Sequence, residues 1–217
     1  MAPHRQAFMR FENRTDAARR LGEKLLHFRK QHPLVLAIPR GAVPMGVLLA
    51  RSLGGDLDVV LVRKLCAPGD PEFALGSVDE SGWVYLADET KFMANPSYIA
   101  AEKNAQLALM KERRARYTPS RAPHDPAGRV VIVVDDGLAT GATMIAALHA
   151  VRARKPAKLV CAVPVASEQA LRKVTELADE VICLHAPERF YAVGQFYEEF
   201  DQVSDDEVVA LLKGASA

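Results

Sequence analysis

The sequence predicts an α/β fold in which a parallel sheet is covered by helices on both faces, and three observations carry that expectation. Short apolar runs such as LVLAI (34–38), VVIVV (130–134) and LVCAVPV (159–165) are too short for helices and alternate with segments of helical period. Within these runs apolar residues do not alternate with polar ones, as strands buried on both faces require. The order strand, helix, strand then recurs along most of the chain. At 217 residues, 49% hydrophobic and 25% charged, the chain can bury a sizeable core. It reads most simply as a single domain over 1–217, with its core at about 10–200.

The elements follow in order. Ala18, Leu21, Leu25 and Phe28 recur at spacings of three and four, predicting a helix from Thr15 to about Phe28 that Asn13 or Thr15 can cap. LVLAI is the first strand. VPMGVLLARSL (43–53) is a helix ended by Gly54 and Gly55, and DVVLV (58–62) is the second strand, closing a β-α-β unit. Residues 65–82 break the rhythm with prolines and glycines. There FALGSV and WVYLA are expected to pair as a hairpin across the turn at Asp79 to Gly82. Residues 97–117 form a charged surface helix with a partial apolar stripe of Ile99, Leu107, Met110 and Tyr117, and PSRAPHDPAG connects it to VVIVV. Then come a helix from Ala142 to Arg154, the strand LVCAVPV, a helix from Glu168 to Ala178 and the strand EVICL. A last helix, Asp205 to Leu212, is started by a capping box of Ser204 and Glu207.

Composition narrows the function. A formal net charge of +1 gives no bulk attraction to DNA or to an acidic membrane. No window approaches the roughly 18 apolar residues of a membrane span, and the first residues lack a secretory core, so a cytoplasmic protein is expected. Cys66, Cys161 and Cys183 lack C-x-x-C spacing and read as reduced thiols, and the scattered histidines do not form a helical metal pair.

One stretch points outside the chain. VVIVVDDGLATGATM (130–144) runs five apolar residues into two adjacent carboxylates and then into a turn of small residues carrying two threonines. In an open α/β sheet ligands sit at the carboxyl ends of strands, which is where Asp135 and Asp136 fall. The turn through Ala139, Thr140, Gly141, Ala142 and Thr143 leads into a helix whose first amides lack partners and suit a phosphate. The carboxylates would then face a sugar's hydroxyls or Mg²⁺. Helix capping by the two acids is the competing explanation. A Walker A loop is excluded by the missing lysine, and G-x-G-x-x-G is absent.

VVIVVDDGLATGAT resembles the 5-phosphoribosyl 1-diphosphate (PRPP) binding motif of type I phosphoribosyltransferases, in a branch without an assigned acceptor. The resemblance implies a Rossmann-like sheet with a flexible loop or hairpin and a small hood, drawn from 187–200 and the N-terminal region. It implies that Asp135 and Asp136 bind the ribose hydroxyls while residues 139–143 hold the 5-phosphate. IPRGAVPMG (38–46) resembles the family's diphosphate loop, bringing Arg40 and Gly41; Arg63 and Lys64 at the end of the second strand are the family's further basic residues, ahead of a mobile loop at 66–82 that contains Glu72. PERFYAVGQFYEEF (187–200) resembles the base-binding segment of hypoxanthine-guanine phosphoribosyltransferases. By position Tyr191 is the stacking residue, with Phe190 as the alternative, Val193 the backbone reader and Glu198 an acid that helps Asp135 and Asp136 hold metal. Pro164 and Val165 stand where those enzymes carry a purine-reading lysine, which argues against an oxopurine acceptor.

The activity implied is a Mg²⁺-dependent transfer of the phosphoribosyl group from PRPP to a nitrogen of a small heterocyclic base, with Arg40, Arg63 and Lys64 meeting the departing diphosphate. No DNA or membrane partner is expected; a homodimer is compatible. The alternatives are a PRPP-sensing regulatory protein without catalysis and a metal-dependent phosphate-ester hydrolase. The basic run of Lys111, Arg113, Arg114 and Arg116 reads as a solvated face that could meet an acidic surface such as 198–207.

Overall fold

The structure, a computed structural model, describes residues 9–86, 90, 92–93, 95–119 and 121–215, without the side chains of Pro71, Glu72 and Ala74. The chain opens with α1 (Arg14–Leu25), whose N-cap is Asn13: its side chain accepts from the amides of Thr15 and Asp16. β1 (Leu34–Ala37), α2 (Val43–Leu53) and β2 (Asp56–Val59) form the first β-α-β unit. β3 (Val62–Ala67), β4 (Asp70–Asp79) and β5 (Val84–Leu86) follow, then α3 (Pro96–Tyr117). The second half alternates as β6 (Val130–Val134), α4 (Ala142–Ala153), β7 (Lys158–Val165), α5 (Glu168–Thr175) and β8 (Glu180–His185), closing with α6 (Asp205–Ala215). The Ser204–Glu207 capping box forms in both directions, at 2.7 and 3.2 Å.

Five strands make one sheet in the order β2-β1-β6-β7-β8, every pairing parallel. The missing in-out alternation has its expected cause. Val35, Ala37, Ile132, Val134, Val160 and Ala162 point into a core shared with α1, α2 and α6. Leu34, Leu36, Val131, Val133, Leu159 and Cys161 point into a second core under α4 and α5. Both faces are therefore covered. Among the described residues no helix is long and apolar enough to cross a membrane, and all three cysteines are free thiols.

The expected strand at 58–62 is two strands. β2 ends at Val59, and Val62 begins a separate antiparallel sheet in the order β3-β4-β5. The apolar run conceals this break because Val60 and Leu61, which cross between the sheets, are themselves buried. Much of the loop expected at 66–82 is likewise strand. The hairpin pairs as read, Gly76 with Leu86 and Val78 with Val84, while Ala87 lies outside the described residues. α5 stops at Thr175, short of Ala178, whose amide turns back to the Val174 carbonyl.

The charged helix α3 is more than a solvated face. Met110 and Tyr117 are buried, and Arg114 donates to Asp58 at 2.7 Å, to the Val59 carbonyl at 2.9 Å and to Glu80. Arg121 and the His124 amide also donate to Asp58. At the helix's C-terminal end Arg116 meets Asp205 and Asp206, and the Tyr117 hydroxyl donates to Asp205, so an acidic surface does receive this helix.

Asp58 is 1% exposed. Burial alone would raise its pKa, but the charge of Arg114, the amides of His124 and Val59, and Arg121 reverse that and hold it below the ordinary carboxylate range. A depressed pKa in the folded state gives stability that is present above the unfolded value near ~3.9 and is lost as pH falls through the folded one. Asp58→Asn is therefore expected to cost about 2 kcal/mol at neutral pH, with the deficit shrinking on acidification below about pH 4. Urea unfolding of both proteins across that range checks it; a pH-independent difference contradicts the role given to the charge.

Candidate functional site at the sheet switch point

The strand order places a crevice before any side chain is considered. From β1 the chain crosses through α2 to β2 on one side; from β6 it crosses through α4 to β7 on the other. The carboxyl ends of β1 and β6 thus diverge as neighbours, the position at which open α/β sheets bind ligands. Arg40 and Gly41 follow β1, and Asp135 to Thr143 follow β6. The two turns touch: a Cβ on Gly41 would lie 2.1 Å from Oδ2 of Asp136, so only glycine fits there.

The turn after β6 is built as an anion cradle. Gly141, at φ 75°, is the N-cap of α4 and brings no side-chain cap. The Ala142 amide reaches the Thr140 hydroxyl at 3.4 Å, whereas those of Thr140, Gly141, Thr143 and Met144 meet no acceptor among the described residues. Thr140 and Thr143 are exposed. Unpaired amides at the positive end of a helix dipole attract an anion. The turn is fixed from below: Leu138 bridges to Ala166, and Ser167, the N-cap of α5, donates its hydroxyl to the Ala139 carbonyl at 2.6 Å while accepting from the Ala170 amide.

Neither carboxylate caps α4, which removes the competing explanation for the pair. Oδ2 of Asp136 accepts from Nε and Nη2 of Arg14 at 3.0 and 2.9 Å, and its carbonyl accepts from the Tyr197 hydroxyl at 2.7 Å. Oδ1 of Asp135 accepts from the Asp136 amide at 2.9 Å. Burial, then the charge of Asp136, pushes Asp135 well above the ordinary carboxylate range. Burial raises Asp136 as well, opposed by the charge and hydrogen bonds of Arg14. When the pair holds one negative charge, that charge sits on Asp136 beside the guanidinium.

A strap covers one side of the crevice. The Phe11 amide donates to the Phe196 carbonyl, and the amides of Glu198 and Glu199 donate back to the carbonyls of Phe11 and Glu12, tying the start of the chain to the segment after the short turn Val193–Phe196. Arg14 binds the strap too, donating to the Asp201 carbonyl at 2.7 Å and lying 4.0 Å over the Phe200 ring. The resulting open cleft, about 550 Å³, is lined chiefly by Arg14, Arg40, Gly41, Asp136, Val193 and Phe200. Among the described residues the Arg40 guanidinium makes no hydrogen bond or close ion pair, and its charge is felt by Asp205 and Tyr117. An arginine whose donors are not taken up by the protein, beside an open cleft, is suited to an anion.

Other sequence expectations part from this geometry. Arg63 and Lys64 are not at an end of the parallel sheet; they open β3, and neighbouring strand residues point to opposite faces. Arg63 turns toward α3 and donates to Gln106 at 2.8 Å, while Lys64 faces α4, in a groove that shares no residue with the Arg40 cleft. One diphosphate cannot readily engage both. Tyr191 is 84% exposed and outside the cleft, and Phe190 packs on Phe196 with ring centroids 5.2 Å apart; the aromatic ring at the cleft is Phe200. Val193 does arrive, packed where a Cβ on Gly137 would be 2.6 Å away. Glu198 is exposed, and among the described residues no three His, Cys, Asp or Glu side chains gather into a direct metal cluster, which leaves Glu198 at most a role through water. The Glu72 side chain lies outside the described residues.

Sequence reasoning missed Arg14, Ser167 and Tyr197. Ser167 carried a usable signal, a serine directly before a helical segment. Arg14 carried none: it sits 122 positions from Asp136, and only the fold joins them.

Known proteins resemble this chain over most of its length. The family model of a phosphoribosyl transferase domain matches residues 10–201. A protein found in two strains of Mycobacterium tuberculosis, provisionally named as a phosphoribosyl transferase, is 41% identical over 207 residues. That match takes in 94% of this chain and 47% of the relative, so the chain spans about half the length of the curated relatives it matches. The crystal structure of TT1426 from Thermus thermophilus is 45% identical with a TM-score of 0.86, covering 94% of this chain and 98% of that one.

Proposed function

The chain belongs to the phosphoribosyl transferase family, and on that premise we propose that it moves the 5-phosphoribosyl group of PRPP to a nitrogen of a small heterocyclic base, with Mg²⁺, releasing diphosphate. The observation that carries this reading is the switch-point crevice: the unpaired amides of Thr140, Gly141, Thr143 and Met144 on one side of the aspartate pair, and Arg40, whose donors make no hydrogen bond among the described residues, on the other. That spacing of donors, acids and cation suits a sugar with a phosphate at one end and a diphosphate at the other.

In the proposed reaction the bond from the anomeric carbon to the diphosphate oxygen breaks as the acceptor nitrogen bonds to that carbon. Negative charge grows on the leaving diphosphate, where Arg40 is positioned to meet it. Positive charge grows on the ring, beside the charge held by Asp136. Val193 and Phe200 offer an apolar wall for the acceptor.

Mg²⁺ keeps much of its water and takes one or two carboxylates together with substrate phosphates. Asp135 and Asp136, one of their oxygens tied to Arg14, fit that small share directly or through water. Bound there with substrate, the ion would neutralise diphosphate charge.

Diphosphate release from PRPP and Mg²⁺, assayed across purines, pyrimidines and related heterocycles, tests the proposal. Release with at least one base is expected. Binding of PRPP without release for any base would make the protein a sensor, and turnover of sugar phosphates with no base present would make it a hydrolase.

A further inference from the structure

The antiparallel sheet carries a row of polar side chains that the crevice does not use. Lys64 on β3, Ser77 on β4 and Tyr85 on β5 are direct cross-strand neighbours, so they share one face. That face looks across a groove of about 490 Å³ to Ala142, Ile145 and His149 on α4, to Lys173 on α5 and to Glu176 just past its end. The volume falls within the range of small-molecule sites.

The groove's polar groups are unoccupied by the protein. Ser77 is 5% exposed, yet its hydroxyl meets no partner among the described residues. No described side-chain nitrogen or oxygen is both sealed from solvent and unpaired, so this hydroxyl opens onto the groove. The Tyr85 hydroxyl, both nitrogens of His149 and the ammonium groups of Lys64 and Lys173 also have no hydrogen-bond or ion-pair partner there. The Tyr85 and His149 rings, stacked at 3.8 Å, give the groove an aromatic side, and Trp83 lies behind them, 6.3 Å from His149. Burial lowers the pKa of His149, leaving a neutral ring at neutral pH.

We propose that this groove is a second ligand site, separate from the switch-point crevice, and that it takes a nucleoside monophosphate. Lys64, Lys173 and the Ser77 hydroxyl receive the phosphate, Glu176 accepts from a sugar hydroxyl, and the base lies along the aromatic side. Two cations and a hydroxyl without partners specify an anion; the rings and the volume ask for more than an anion. The site does not depend on the reaction proposed above. It shares only Ala142 with the phosphate turn, so its occupant would rest against the helix that carries that turn.

Trp83 is the only tryptophan, and its ring stacks 6.5 Å from Tyr85 and 6.3 Å from His149, both of which line the groove, so its emission is a probe of their surroundings. Titration of the full chain with adenosine 5′-monophosphate is expected to give a saturable change, weakened at least tenfold by Lys173→Ala and by Ser77→Ala. The same titration of a Thr140→Val/Thr143→Val variant, disabled at the phosphate turn, is expected to give the wild-type curve. Equilibrium dialysis of that variant should still find one bound equivalent, which covers a ligand to which Trp83 is silent. Equal affinity in the groove variants, loss of binding in the turn variant, or no bound equivalent at millimolar ligand overturns the site. In the turn variant, inorganic phosphate or ribose 5-phosphate binding as tightly as the nucleotide overturns the assignment of the ligand. Each readout is independent of whether diphosphate is released from PRPP.

Discussion

Asp136→Ala is expected to destabilise the protein by about 3 kcal/mol, or roughly 6–12 °C in Tm for a chain of this size, and to abolish PRPP binding. The Arg14 and Asp136 side chains are only 13% and 16% exposed. Removing the acid strands a guanidinium that also holds the Asp201 carbonyl and the Phe200 ring. The strap and the two ligand turns therefore loosen together. Asp135→Asn supplies the contrast. Its carboxyl is already pushed toward the neutral form by burial, and asparagine keeps an oxygen for the Asp136 amide. Stability should stay within about 1 kcal/mol of the parent while PRPP affinity falls. Thermal unfolding and a PRPP titration on both variants decide it. Equal losses of stability would contradict the unequal roles given to the two acids.

The second large effect is expected at the phosphate turn. Thr140 and Thr143 are exposed, and the one contact of their hydroxyls among the described residues is the long 3.4 Å bond that Thr140 accepts from the Ala142 amide. Hydrogen bonds to a charged group contribute about 1.5–3 kcal/mol each, so Thr140→Val with Thr143→Val should weaken ribose 5-phosphate binding by about 100-fold or more. The fold should be unaffected within about 0.5 kcal/mol, because the turn is anchored through Leu138 and Ser167 instead. Calorimetric titration beside urea unfolding checks both halves. Unchanged affinity would mean that the anion, if one binds, sits elsewhere.

These two predictions draw on different kinds of legibility. The parallel sheet, its helices and the turn after β6 could be read from the sequence because they are local: apolar runs too short for helices, and acids followed at once by small residues and threonines. The Ser204–Glu207 cap was legible for the same reason. What escaped reading was non-local. Val60 and Leu61 are as buried between two sheets as they would be inside one, so composition could not mark where β2 ends. Arg63 and Lys64 were correctly seen as basic neighbours, but strand geometry sends them to opposite faces once β3 exists. Tyr191 and Phe200 are nine positions apart, and a bend in the strap decides which ring reaches the cleft. Arg14 is the clearest case, an arginine on the first helix that becomes the partner of Asp136 only after the whole sheet has formed.

The crevice between β1 and β6 is expected to hold a phosphorylated pentose at both ends. A crystal structure with ribose 5-phosphate and Mg²⁺ tests that directly. The phosphate is expected on the amides and hydroxyls of Thr140 to Thr143, with the sugar hydroxyls facing Asp135 and Asp136. An empty turn in crystals that hold the sugar elsewhere, with Asp136 still paired to Arg14 and Asp135 facing only the protein, would contradict it.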